Sequence, residues 1–159
     1  MRDPGGRQNS ELDLVLIAAI ESDNEAEVEA LLERGVDVAK RQSSTGKSAI
    51  QLAEGKNTII KLLQTALNRK LIESYTNEDY SITLNYLALG AEVNYRDENG
   101  ATILHHAAYH SRIELLAALL EAGADINGLD NNGNSPFMYA CASGNIENAK
   151  ELWQLARIG

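Results

Sequence analysis

The sequence predicts an all-α solenoid of about four helix-pair repeats carrying short β-hairpin fingers, and three observations lead there. First, residues recur at a period of 33: Gly90, Ala91, Asn94, Asp97, Asn99, Gly100, Ala107, Ile113, Glu114 and Leu119 return as Gly123, Ala124, Asn127, Asp130, Asn132, Gly133, Ala140, Ile146, Glu147 and Leu152. Chance would supply about two such identities at average residue frequencies. Second, each copy joins a glycine-bearing turn to two runs of apolar and small residues, as a finger followed by two helices requires. Third, a unit of this size cannot bury its apolar face alone and must stack on its neighbours.

Every repeated residue has a physical task. Gly100 and Gly133 permit the turn at the finger, and Thr102 and Ser135 stand where they can cap the helix that follows. Pro136 occupies a first helical position, where its missing N–H costs nothing. Ala107, Ala108, Ala140 and Cys141 are small enough for helices to approach closely, and Gly123 ends the second helix in a left-handed conformation. The run Asp97 to Ala108, followed by Leu119 to Asn127, resembles the ankyrin repeat, whose pattern is D-x-x-G-x-T-P-L-H-x-A-A and then L-L-x-x-G-A-D-V-N. The second copy reads Asp130 to Gly133, Ser135-Pro136-Phe137-Met138 and Ala140-Cys141. Ile103 departs from the pattern's proline, which should weaken the cap slightly without changing the fold.

Weaker copies precede these. Residues 1–9 lack the apolar stretch of a secretion signal and are expected to form a disordered lead to a single domain spanning 10–159. Within Leu12 to Val38, Ala18-Ala19, Val28, Leu31-Leu32, Gly35 and Asp37 mark a helix pair without a finger, with Ser10/Asp13 and Asn24/Glu27 as capping pairs. Gly46 to Ala53 supplies the finger and first helix of the next repeat, with Gln51 in the histidine slot of the family pattern, and a second helix is expected from Thr58 to about Leu67. Counting back from Gly90 starts another first helix near Arg69, which leaves no room for a finger. The run Thr58 to Tyr75 holds no glycine or proline and also suits one continuous helix. We expect instead a reversal at Asn68, because paired helices of an ankyrin stack run in opposite directions. The units then fall at about 10–38, 39–67, 68–95, 96–127 and 128–159, the unit at 68–95 lacking a finger.

Composition fits one soluble domain, with 44% hydrophobic residues and no apolar run near 18 residues. The lone cysteine, Cys141, falls in a small-residue slot and is expected as a buried free thiol in a reducing compartment, the cytoplasm or nucleus. The formal charge of −9 is uneven: residues 1–39 sum to −7, residues 71–159 to −8, and residues 40–70 to +6. Lys40, Arg41, Lys47, Lys56, Lys61, Arg69 and Lys70 make that basic island, which reads either as solvated helix surface or as a docking site for an acidic or phosphorylated segment. The acidic total and the lack of a basic, aromatic platform argue against nucleic acid.

Catalytic and cofactor signatures fail on inspection. Gly46-Lys47-Ser48 resembles the end of a phosphate-binding loop, but that motif needs a glycine where Arg41 stands. His106 and His110 lie four apart, as a metal pair would, yet a third ligand at suitable spacing is missing. His105 is the family's own structural histidine. The sequence therefore predicts no enzyme, no cofactor and no metal site.

What remains is recognition. Ankyrin domains bind protein partners with a concave surface made of finger tips and the exposed side of the first helices, so the resemblance implies contact positions Tyr95, Arg96, Glu98, Asn99, Ala101, Tyr109 and His110 in one repeat. In the next they are Leu129, Asn131, Asn132, Asn134 and Ala142, and Arg41, Gln42, Ser44 and Lys47 hold the matching places upstream. Tyr95, Tyr109 and Leu129 are the expected anchors, framing one patch. Expected is a monomeric binding module, unless its C-terminal end self-associates, with no membrane contact; the alternative is the regulatory or substrate-recruiting section of a longer, multidomain protein. The last helix carries Ile146, Ala149, Leu152, Trp153, Leu155 and Ala156, unusually apolar for the end of a stack.

Overall fold

Nine α-helices and one 3-10 turn run through the described residues, 4–76, 80–110 and 113–158, of the computed structural model. They are α1 (Pro4–Glu21), α2 (Glu25–Glu33), α3 (Ala49–Leu52), α4 (Asn57–Glu73), the 3-10 turn Ser74–Thr76, α5 (Ser81–Ala88), α6 (Ile103–Tyr109), α7 (Ile113–Glu121), α8 (Pro136–Ser143) and α9 (Ile146–Ile158). Extended structure among these residues is a single antiparallel bridge, Arg41 to Ser48. No helix described is long and apolar enough to cross a membrane. The chain divides into two compact units, Met1–Leu67 and Asn68–Gly159.

In the first unit α1 packs on α2 and α3, burying Leu16, Ala19, Ile20, Val28 and Leu31. Asn24 caps α2 as expected: its Oδ1 accepts the Glu27 N–H at 3.3 Å and its amide donates to Glu27 Oε2 at 2.9 Å. Ser48 and Gln51 form a full capping box on α3, so glutamine in the histidine slot still satisfies the orphan N–H. Two expectations change. Helix α1 begins at Pro4, inside the stretch expected to be a disordered lead, and proline at a first helical position is pre-set for that conformation. It then runs through Ser10 and Asp13, which therefore do not open a helix; the buried Asp13 carboxylate takes Lys40 Nζ at 2.7 Å.

The reversal expected at Asn68 does not occur, because α4 is continuous from Asn57 to Glu73. Its buried stripe, Ile59, Leu63, Leu67 and Leu71, repeats every four residues and is interrupted by no helix breaker. Asn68 turns inward on that helix and its Oδ1 accepts the Glu92 N–H at 2.7 Å.

In the second unit α6 packs on α7 and α8, and α9 packs on α7 and α8. Ile103, Leu104, Leu115, Leu116, Leu119 and Leu152 fill the space between them. Finger turns stand before Gly100 and Gly133, each closed by a glycine N–H donating to an aspartate carbonyl, Asp97 at 2.9 Å and Asp130 at 3.1 Å. Gly100 is required twice over. Its φ is +75°, and a Cβ there would sit 2.3 Å from Asn131 Oδ1.

Cys141, expected buried, is exposed. The equivalent residue 33 positions earlier, Ala108, is buried because α8 stacks on α6, whereas no described element stacks on the outer side of α8. Cys141 therefore lines an open apolar groove of about 380 Å³ with Phe137, Ile146 and Trp153. Of the paired apolar residues in α9, Leu152 is fully buried while Trp153 is 53% exposed. Leu152→Ala should accordingly cost about 2–5 kcal/mol in urea unfolding, and Trp153→Ala far less. Equal losses for the two would mean that both faces of α9 are packed.

Lys56 closes the C-terminal end of α1, donating to the Ile20 carbonyl and to the Glu21 carbonyl at 2.9 Å. Lys56→Met should lower stability by about 1–3 kcal/mol through those two carbonyls, read by thermal and urea unfolding.

Candidate recognition face

The candidate face of the second unit is built on two aspartates in the same slot of successive repeats. Asp97 Oδ1 accepts the N–H groups of Asn99 (2.9 Å) and Ala101 (3.0 Å). Asp130 Oδ1 does the same for Asn132 (2.9 Å) and Asn134 (2.8 Å). Each carboxylate thus rolls the backbone into a tight finger and presents the residues around the turn outward. Asn131 ties the two fingers together, its N–H donating to the Asn99 carbonyl (2.9 Å) and its side-chain amide to the Glu98 carbonyl (3.1 Å).

Behind the fingers, His105 is fully buried. Its Nδ1 accepts the Thr102 N–H at 3.1 Å, which leaves the Nε2 proton to donate to the Asn134 carbonyl at 3.2 Å. Burial, ahead of the other influences, holds its pKa below the ordinary value. Each aspartate's second oxygen meets a residue nine positions on: His106 Nε2 lies 2.9 Å from Asp97 Oδ2, and the Tyr139 hydroxyl donates to Asp130 Oδ2 at 2.9 Å. Backbone donation from Asn134, with further hydrogen bonds, draws the Asp130 carboxyl down to about 2. Burial first, and then that carboxylate, push the Tyr139 phenol up to about 12.

An aromatic row crosses the face. Tyr75 stacks on His106 and packs at a tilt against His110, both at 4.7 Å between centroids. Tyr109 stands edge-to-face to His110 at 5.1 Å and to Tyr139 at 6.5 Å. Both histidines of the metal-like pair are engaged in this row.

The expected contact residues divide. Arg96, Glu98, Asn99, Tyr109, His110, Leu129, Asn131, Asn132 and Ala142 are exposed, and Tyr95 and Asn134 are half-buried. Ala101 is only 1% exposed and closes its finger by accepting the Asp97 N–H, so it offers nothing to a partner. Tyr95 and Tyr109 do not frame one pocket. Tyr95 lines a cleft with Arg69, Ile72 and Glu73, and Tyr109 lines another with Tyr139 and Met138. Tyr75, Met138 and Tyr139 belong to the face and were missed; the period of 33 marks the last two, which fall in the slots of His105 and His106.

In the first unit Arg41 and Lys47 are exposed on the finger before Gly46, where Arg41 Nη1 donates to the Gly46 carbonyl at 3.2 Å. Within the basic island Lys40 pairs with Asp13, Lys56 holds the end of α1, and Lys70 pairs with Glu73 at 3.0 Å. Three of the island's seven cations are therefore committed to contacts within the chain.

A family model described as "Ankyrin repeats (3 copies)" matches residues 71–158, more than half of the chain. The chain belongs to the ankyrin-repeat family. Ankyrin repeats generally mediate protein–protein interaction. The human 2-5A-dependent ribonuclease is 37% identical over 81 residues, 50% of this chain and 11% of the ribonuclease. The ARF GTPase-activating protein Git of Drosophila melanogaster is 33% identical over 107 residues, 67% of this chain and 15% of Git. The Neurogenic locus Notch protein of the same fly is 40% identical over 73 residues, 45% of this chain and 3% of Notch. The chain thus spans a small part of each of these ankyrin-repeat relatives.

His105 should make the second unit sensitive to acid. An unfolded imidazole takes up its proton near the ordinary pKa of 6.5, whereas the buried one does so only at lower pH, so the unfolded state binds more protons as pH falls through 6.5 and stability drops. Urea midpoints measured from pH 7.5 to 5.5 should fall for the natural chain. His105→Gln, which mimics Gln51, should be less stable at pH 7.5 but flatter across this range. A parallel decline in both would assign the acid sensitivity elsewhere.

Proposed function

We propose that the chain is a non-catalytic module that binds a protein partner through the concave face of its finger tips and inner helices, chiefly on the second unit. One observation carries this reading: two complete fingers stand tied in register by Asn131, and beside them Tyr109, Leu129 and Met138 leave apolar surface exposed among asparagines. Apolar and aromatic groups set within a polar rim supply most of the energy at protein interfaces. The contact set is Tyr95, Arg96, Glu98, Asn99, Tyr109, His110, Leu129, Asn131, Asn132 and Asn134, with Arg41 and Lys47 as a secondary region for an acidic partner. We place the protein in the cytoplasm or nucleus, as a monomer.

The test is a paired binding measurement. A partner captured on the natural chain should bind the double variant Tyr95→Ala/Tyr109→Ala more than tenfold more weakly in calorimetry, with the melting temperature little changed. Unchanged affinity in a folded double variant would move the contact to the basic island or to the groove beside α9.

A second reading is supported by the relatives, in which the matched segment is a small fraction of the whole: a regulatory or substrate-recruiting ankyrin section of a longer enzymatic or effector protein. Antibodies raised against residues 80–158 would decide it by the mass of the native product they detect.

A further inference from the structure

The repeats differ at one slot in a way that points to a ligand. In the first of the two finger repeats the aspartate has an imidazole at its second oxygen, His106 beside Asp97, a group able to carry positive charge. In the next repeat that slot is Tyr139, a neutral phenol. Asp130 is held by four neutral donors: the N–H groups of Asn132 and Asn134, the Asn134 amide and the Tyr139 hydroxyl. Its carboxyl, drawn down to about 2, is ionised at any ordinary pH. Among the described residues no cation pairs with it.

Beside this nearly buried aspartate, 6% exposed, lies an open pocket of about 270 Å³, lined by Tyr109, Tyr139, Met138, Asn132, Asn134 and Asp130 itself. Its volume falls below the range of roughly 300–1,000 Å³ usual for small-molecule sites and suits one side chain. Tyr109, 45% exposed, and Tyr139 meet edge-to-face at 6.5 Å, and both aromatic side chains line this space. Aromatic faces around a fixed negative charge attract a cation.

We propose that this pocket receives the side chain of one arginine or lysine of the protein partner, set against the Tyr109 and Tyr139 rings beside the Asp130 carboxylate. The proposal rests on the concave-face reading above and gives that face a partner of basic character, in keeping with the −8 carried by residues 71–159.

The test titrates the ¹⁵N-labelled full chain with Nα-acetyl-arginine amide and Nα-acetyl-lysine amide, with the neutral Nα-acetyl-citrulline amide as control. The two cations should give saturable shifts at the amides of Asn132, Asn134 and Met138, and citrulline should not. Tyr109→Phe should keep the affinity within about twofold, and Tyr109→Leu, which keeps apolar bulk without a ring, should weaken it by at least about threefold. Should Tyr109→Leu disturb the fold, Tyr139→His serves instead: it restores the imidazole of the preceding repeat beside Asp130 and should weaken cation binding, more so at pH 6 than at pH 8. Equal shifts with citrulline, shifts confined to other regions, or full affinity in both Tyr109→Leu and Tyr139→His would overturn the proposal. Loss of arginine binding with the Tyr95/Tyr109 partner effect intact removes the cation site alone. Arginine binding that persists while the partner ignores the double variant removes the concave-face reading and leaves the pocket.

Discussion

The aspartate at the base of each finger is the contact on which the second unit depends. A carboxylate that accepts two backbone N–H groups, two and four residues ahead, converts a flexible Asx-Gly stretch into a rigid tip. Everything at the face is placed from that tip. The Asn99 carbonyl is turned to receive Asn131, the Asn134 carbonyl is turned to receive His105, and the second carboxylate oxygen fixes His106 in one repeat and Tyr139 in the next. Because finger geometry, helix start and side-chain presentation share one anchor, neighbouring repeats can vary their displayed residues without losing register.

The period of 33 made the fold legible, since identical residues at identical spacing imply identical local structure. Asn24, Ser48, Gly100 and Gly133 did what their chemistry dictates. The errors arose where a residue's role depends on what lies beyond its own element. Asn68 looked like a reversal point because asparagine favours turns, yet tertiary burial of the stripe from Ile59 to Leu71 carried the helix past it. Ser10 and Asp13 matched a capping pattern, but Asp13 faces Lys40 from a distance of 27 residues, which no local rule detects. Cys141 sits in a slot that is buried only when another helix pair is stacked outside it.

The candidate face was half legible. Exposed positions around the fingers followed from the repeat pattern, and all but Ala101 are at least partly open. Which of them share a pocket did not follow, because pockets form between elements while the pattern describes each element alone. Tyr139 illustrates the gap. Its slot was marked by His106, but only the structure shows that each reaches the second carboxylate oxygen of its own finger's aspartate, and hence that exchanging imidazole for phenol changes the electrostatics of one finger and not its shape. The basic island misled for the opposite reason: charges near in sequence were counted together, while Lys40, Lys56 and Lys70 turn to separate internal partners.

The exposure of Cys141 has a practical meaning. It is the sole thiol of the chain and lies in the groove shared by Phe137 and Trp153, so a maleimide or spin label attaches at one known point on the outer side of α8. Labelling there proceeds at the rate of an open thiol and slows when anything covers that side, while a small quencher on the same sulfur dims the indole beside it. The molecule thus carries its own reporter for the occupancy of that groove, separate from the face on which the fingers stand.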